Sequence, residues 1–198
     1  MASNGGTHTA WEDVALIREI PGAVICDPAD DVQMEWIIKE FLKMEGIHYV
    51  RSNRKAVRNV YKKGSSFKIG QGNILKEGKD ILIIAAGQLV SEALDCAEEL
   101  EKEGYSVEVI DMFTIKPLDE KLLIKEAKGK SKIVTIENHS IYGGLGSAVC
   151  DVVAEKAPAK VMKIGVTDVH GESGPAAELI KKYGLDADSI YEKVKAFV

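Results

Sequence analysis

Residues 80–111 decide the fold: Asp80-Ile81-Leu82-Ile83-Ile84-Ala85-Ala86, then GQLVSEALDCAEELEKEG over 87–104, then Tyr105-Ser106-Val107-Glu108-Val109-Ile110-Asp111. Ile81 to Ala86 is an unbroken apolar run with the length of a buried strand, far short of the ~18 residues a membrane span needs. From Gln88 to Glu103, the residues Leu89, Val90, Ala93, Leu94, Ala97 and Leu100 fall on one helical face, and Gly104 supplies the stop. Glu98 and Lys102 stand one turn apart and are expected to pair. Val107 to Asp111 then reads as a second strand. Strand, helix and strand at this spacing make a βαβ unit, whose strands run parallel.

The same alternation continues toward the C-terminus. Asp119 is placed to cap a helix reaching about Ala127, Ile133 to Glu137 is a strand, and Ala148 to Ala157 lies in a helix. Val161 to Ile164 is a further strand. Two helices finish the chain, the last capped by Asp186 with Ile190, Val194 and Phe197 inward.

Toward the N-terminus, Thr9 with Glu12 forms a capping box ahead of Val14 and Ile17, and Pro21-Gly22 ends that helix. Ala23 to Cys26 is a short strand. Asp30 and Gln33 cap a helix that carries Trp36, Ile37 and Phe41, and His48 to Arg51 is another strand. Arg51 to Lys63 holds six Lys or Arg and no acid. Gly64 to Gly78 reads as a linker, with a short strand expected at Phe67 to Ile69. The fold class is therefore α/β: a mainly parallel C-terminal sheet with helices on both faces, preceded by part of a second α/β unit.

Composition excludes several functions. The 198 residues are 45% hydrophobic and 29% charged, with a net charge of −5, so no basic face for nucleic acid is expected. No run has the length of a membrane span, so no membrane partner is expected. Met1 to Gly6 resemble no secretory or targeting signal. The odd, scattered Cys26, Cys96 and Cys150 read as free thiols, which points to the cytoplasm. The four histidines have no metal-ligand spacing. Gly129-Lys130-Ser131 lacks the earlier glycine of a P-loop, because Ile124 stands there, and no Gly-x-Ser-x-Gly occurs.

Three features survive. Gly143-Gly144-Leu145-Gly146-Ser147 follows a strand and opens a helix. It either gathers N–H groups around an anion or lets the helix pack closely. His139 beside it faces solvent, a partner or a substrate. His8 precedes a helix, and the basic run offers a phosphate site, for which an Arg fork is the best single group.

Together these segments resemble the C-terminal part of the transketolases over nearly the whole chain. The resemblance rests on Thr7-His8-Thr9-Ala10 with Glu12 to Arg18 and Ile20-Pro21, and on Asp27-Pro28-Ala29-Asp30. It also rests on Tyr49 to Arg54, on Ile136 to Ser140 with Gly143 to Ser147, and on Gly171-Glu172-Ser173-Gly174. It implies transfer of a two-carbon ketol unit between sugar phosphates, in the pentose phosphate pathway, with thiamine diphosphate and magnesium. It implies a catalytic place for His8, lining the substrate channel, and a substrate-phosphate role for Arg54, which follows the strand as the motif requires. Asn4 stands where the family has an acid. No Gly-Asp-Gly followed by Asn is present, so no cofactor-binding or metal-binding residue is expected in this chain.

The resemblance divides the chain into 1–63, the last part of a pyrimidine-binding domain; 64–78, a linker; and 79–198, the C-terminal domain. The resemblance implies that the glutamate activating the cofactor lies upstream of Met1 and that the diphosphate-binding domain is carried on a separate polypeptide, as in some relatives. The chain is thus expected to be inactive alone, to need an N-terminal transketolase subunit, and to form homodimer contacts through its C-terminal domain. Related readings are 1-deoxyxylulose-5-phosphate synthase and the β chain of a 2-oxoacid dehydrogenase. A non-catalytic dimerisation or small-ligand-binding domain is the reading outside enzymology.

Overall fold

The computed structural model describes residues 10–53 and 56–198. The decisive stretch folds as its pattern dictates. β4 (Ile81–Ala85) and β5 (Val107–Asp111) pair in parallel, joined by a 3-10 turn at Gly87–Leu89 and helix α3 (Val90–Lys102). Around them lie β3 (Asn73–Lys76), β7 (Lys132–Ser140) and β8 (Lys160–Val166), giving a five-stranded sheet in the order β3-β5-β4-β7-β8. All its pairs are parallel except β3 with β5.

Every residue of β4 is buried, because helices cover both faces. Ile81, Ile83 and Ala85 point to α3 and to α7 (Ala187–Phe197), where Ala93, Ala97, Leu100, Ile190 and Val194 meet them. Leu82 and Ile84 point the other way, to Leu123 of α4 (Glu120–Ala127) and Val149 and Val153 of α5 (Leu145–Lys156). A short α6 (Ala176–Lys182) precedes α7.

A three-stranded sheet, β2-β1-β6, stands beside it. β1 (Val24–Cys26) and β2 (His48–Val50) are parallel, and β6 (Thr114–Lys116) runs antiparallel to β1. Their neighbours are α1 (Asp13–Arg18) and α2 (Asp31–Phe41). β6 begins three residues after β5 ends, so the chain steps from the large sheet into the small one. The step is fixed by Phe113, fully buried, whose ring meets Trp36 and Phe67 edge-on at 6.4 and 5.8 Å.

Three details differ from the sequence reading. The strand expected at Phe67 to Ile69 lies instead at Asn73–Lys76. Phe67 and Ile69 are spent on packing against Phe113, while β3 takes the free edge of β5. Lys102 bonds Glu99 at 2.6 Å rather than Glu98. Of the expected N-terminal capping box, Thr9 lies outside the described residues; Glu12 occupies the cap position of α1 without a side-chain cap bond. Asp30, Asp119 and Asp186 all cap as expected, accepting from Gln33, Leu122 and Ser189 N–H groups. Cys26, Cys96 and Cys150 are free, and burial pushes the first two thiols up to about 12.

Candidate functional site

β1 and β2 are parallel neighbours with Cys26 opposite Val50, so the residues that follow them, Asp27 and Arg51, emerge side by side. Arg51 spreads its fork over three acceptors: Nη1 donates to Asp27 Oδ2 at 2.9 Å, Nε to Asp13 Oδ2 at 2.8 Å, and Nη2 to the Ala10 carbonyl at 3.2 Å. Tyr49 adds an O–H to Asp13 Oδ2 at 2.7 Å. The Arg51 side chain is only 13% exposed. Burial opposes its charge, yet Asp27 and Asp13 hold the guanidinium above its ordinary pKa. Burial and the bond to Asp13 push the Tyr49 phenol up to about 12.

The large sheet brings a second polar group to the same place. Glu137, near the end of β7, accepts from Leu145 N–H at 2.7 Å and Gly146 N–H at 2.8 Å. The glycine-rich start of α5 therefore does hold an anion, and the anion is the protein's own carboxylate. Burial pushes the Glu137 carboxyl up to about 7, against the pull of those two N–H groups. His139, 1% exposed, turns Nδ1 to the Ser140 carbonyl at 2.7 Å and receives the Ala15 N–H on Nε2 at 3.4 Å. These roles require a neutral ring protonated on Nδ1, and burial lowers the His139 pKa accordingly.

A cleft of about 280 Å3 opens beyond the ends of β1 and β2, between the start of α2 and the segment after Arg51. Pro28, Asp30 and Met34 form one wall, and Ser52, Asn53 and Ala56 the other. Asp30 holds the far end of that segment by accepting from Val60 and Tyr61 N–H groups at 2.8 and 2.7 Å. Tyr61 then reaches Asp111 Oδ2 at 2.5 Å, where Gln33 also donates at 2.7 Å. Burial pushes the Asp111 carboxyl up to about 7. The wall is thus anchored twice, at Arg51 and at Val60–Tyr61.

His8 and Arg54, the two residues expected to act on substrate, lie outside the described residues. Arg54 falls between Asn53 and Ala56, which line the cleft, and His8 precedes Asp13 by five positions. The structure brings together Asp27 to Asp30, Tyr49 to Arg51, and Glu137 to Ser140 with Gly143 to Ser147. Gly171 to Gly174 is outside this group; its Glu172 pairs with Lys182 at 2.7 Å. Sequence reading missed Asp13, Asp27, Arg51 and Glu137 as one assembly.

Among the described residues no cluster of His, Cys, Asp or Glu is placed to hold a metal ion. The glycine-rich helix start is filled by Glu137. These described residues do not fit a diphosphate–magnesium group.

The model of the transketolase C-terminal domain family matches residues 70–190. A putative transketolase C-terminal section of Methanocaldococcus jannaschii is 41% identical over 98% of this chain and 61% of its own length. A 6-deoxy-6-sulfo-D-fructose transketolase subunit of Clostridium sp. is 38% identical over 94% of this chain and 58% of its own length. The transketolase of Mus musculus is 35% identical over the whole of this chain and 32% of its own. A solved structure of a split gene transketolase, an inactive beta4 tetramer, superposes with a TM-score of 0.89 at 40% identity, over 96% of this chain and 62% of that one. The chain thus spans about three-fifths of the length of the first two relatives and of the solved structure, and about a third of the Mus musculus enzyme.

Proposed function

Because this chain belongs to the transketolase family, through its C-terminal domain, we propose that it is the C-terminal section of a transketolase that moves a two-carbon ketol unit between sugar phosphates. In this reading the activity belongs to an assembly. An N-terminal subunit supplies thiamine diphosphate and magnesium, copies of this chain meet through their C-terminal domains, and the chain alone does not turn over. Residues 1–63 are the end of a pyrimidine-binding domain, 64–78 connect, and 79–198 form the C-terminal domain. The work is done in the cytoplasm, in the pentose phosphate pathway. No described helix is long and apolar enough to cross a membrane.

The observation that carries this reading is the cleft beyond β1 and β2, whose wall includes both neighbours of the Arg54–Lys55 pair. Open α/β sheets bind ligands at the carboxyl ends of their strands. An Arg guanidinium provides a two-point anchor for a phosphate held away from the reacting carbonyl, and this reading gives that role to Arg54. His8, leading into α1, handles substrate hydroxyl protons. Relatives named for a split-gene transketolase and for transketolase subunits support the two-chain arrangement.

The test is Arg54→Ala in the assembled enzyme. KM for phosphorylated sugars should rise by on the order of tenfold or more, since a charge-assisted bidentate contact is lost. KM for the unphosphorylated sugars should stay nearly constant. Equal changes for both would remove the phosphate-anchor role.

A further inference from the structure

The large sheet is doubly wound, and it has a topological switch. β4 and β7 are neighbours, yet α3 leaves β4 toward one face and α5 leaves β7 toward the other. The crevice outside the ends of such strands is where sheets of this kind receive a ligand. Here α1 and the residues leading into it lie against it. Ser140 N–H donates to the Trp11 carbonyl at 2.9 Å, and Trp11 packs edge-on against Tyr183 at 4.7 Å. Arg18 Nη1 donates to the carbonyls of Gly143 and Gly144 at 2.7 and 3.3 Å. Gly143 has a φ of +76°, and a Cβ there would come within 2.5 Å of Ala15 Cβ, so the loop is shaped to let α1 in.

One contact in this set is unusual in kind. Ala15 is the third residue of α1, and its N–H is among those a helix start leaves without a partner. Glu12, at the cap position, makes no side-chain cap bond and accepts from Trp11 N–H instead. The acceptor for Ala15 comes from the other sheet, as His139 Nε2 at 3.4 Å. Its ring is fixed by Ser140 on one side, with Glu137 Oε2 3.7 Å from Nδ1 and Asp13 Oδ1 3.8 Å from Nε2.

We propose that His139 is a positioning residue for ketol transfer: by capping α1 from the C-terminal domain, it holds Asp13 of that helix on Arg51, the residue from which the cleft wall at Ser52 and Asn53 continues. The C-terminal domain then contributes to the reaction while its own switch crevice binds a helix in place of a small molecule. This inference rests on the reading under Proposed function, so it is tested in two arms.

The first arm needs no activity. Gln at this position can present an acceptor near Nε2, whereas Asn can mimic only the Nδ1 donor. In hydrogen exchange on the full chain, His139→Asn should speed exchange of the Ala15 amide and its α1 neighbours by about tenfold or more, and His139→Gln should stay within a few-fold of wild type. Equal behaviour of the two variants, or no change in α1, would overturn the proposal.

The second arm uses the assembled enzyme. His139→Asn should lower kcat/KM by about 10- to 100-fold, the range expected for a misplaced reacting group, and Gln should restore most of it. In an Arg54→Ala background the same change should cost less than about twofold with phosphorylated sugars, because the anchor that it helps to position is already gone. Additive losses would contradict it. Absence of ketol transfer by the wild-type assembly would instead defeat the underlying reading, and the exchange arm would still decide the role of His139 as a cap.

Discussion

Gly144 and Glu137 are fitted to each other: a Cβ at residue 144 would lie 2.0 Å from Glu137 Oε2 and 2.6 Å from His139 Nδ1. The glycine is what allows a buried carboxylate to reach the N–H groups at the start of α5. Gly144→Ala must push that carboxylate off its donors or displace the helix, so it should destabilise the chain by about 1–3 kcal/mol. Urea unfolding followed by circular dichroism checks this, and an unchanged midpoint would show that the carboxylate is not held there.

The Glu137 carboxyl gives a pH signature. Its pKa rises from 4.5 to about 7 on burial. The folded chain therefore binds more protons than the unfolded one between those values. The associated stability is full below pH 4.5 and is lost as pH rises through about 7. Asp111 runs the same way, raised to about 7 by burial. His139 runs opposite: its lowered pKa gives stability that is full above its ordinary 6.5 and is lost as pH falls through the lowered value. Asp13, Asp27, Arg51 and Glu137 are the charged groups that face it. Glu137→Gln should flatten the fall in stability between pH 4.5 and 7 relative to wild type. Parallel pH curves for the two proteins would contradict the assignment.

Arg51 holds two nearly buried carboxylates, with side-chain exposures of 11% for Asp13 and 7% for Asp27. Removing it leaves both without their cation. Arg51→Ala should cost about 3–5 kcal/mol. Arg51→Lys should recover only part of this, since a point charge cannot span both acceptors. Equilibrium unfolding of the three proteins gives the comparison, and a Lys variant as stable as wild type would show that the fork geometry is unimportant.

Tyr61 anchors the end of the cleft wall to Asp111. Tyr61→Phe removes a side-chain donor to Asp111 Oδ2 and should cost about 1–3 kcal/mol. Local hydrogen exchange should also increase in residues 56–61, the described part of the wall on that side. An effect confined to global stability would mean that the tether does not order the wall.

Much of this architecture is legible in the sequence wherever the signal is local. The run Ile81 to Ala85, the face of α3, and the caps at Asp30, Asp119 and Asp186 are short-range patterns with direct physical causes, and all appear in the structure. β3 and β6 escape such reading because their pairing is supplied from outside. Asn73–Lys76 has no alternating apolar face and is a strand only because β5 has a free edge. Thr114–Lys116 is three residues long and is set by the edge of β1. The site is hidden for a similar reason. Asp13, Asp27 and Arg51 share no periodicity, and only the parallel register of β1 and β2 brings them together. The glycine run left an anion site and close helix packing as two readings of the sequence, and nothing local says that Glu137, eight and nine residues before its donors, would supply the anion.

The proposed function makes this chain one section of a transketolase that works only in assembly. The direct measurement is a ketol-transfer assay with sugar phosphates, thiamine diphosphate and magnesium, run on this chain alone, on a complementary N-terminal subunit alone, and on the two mixed. Turnover is expected in the mixture and in neither chain by itself. A mixture of full-length chains that binds but transfers no ketol unit, or turnover by this chain alone, would contradict it.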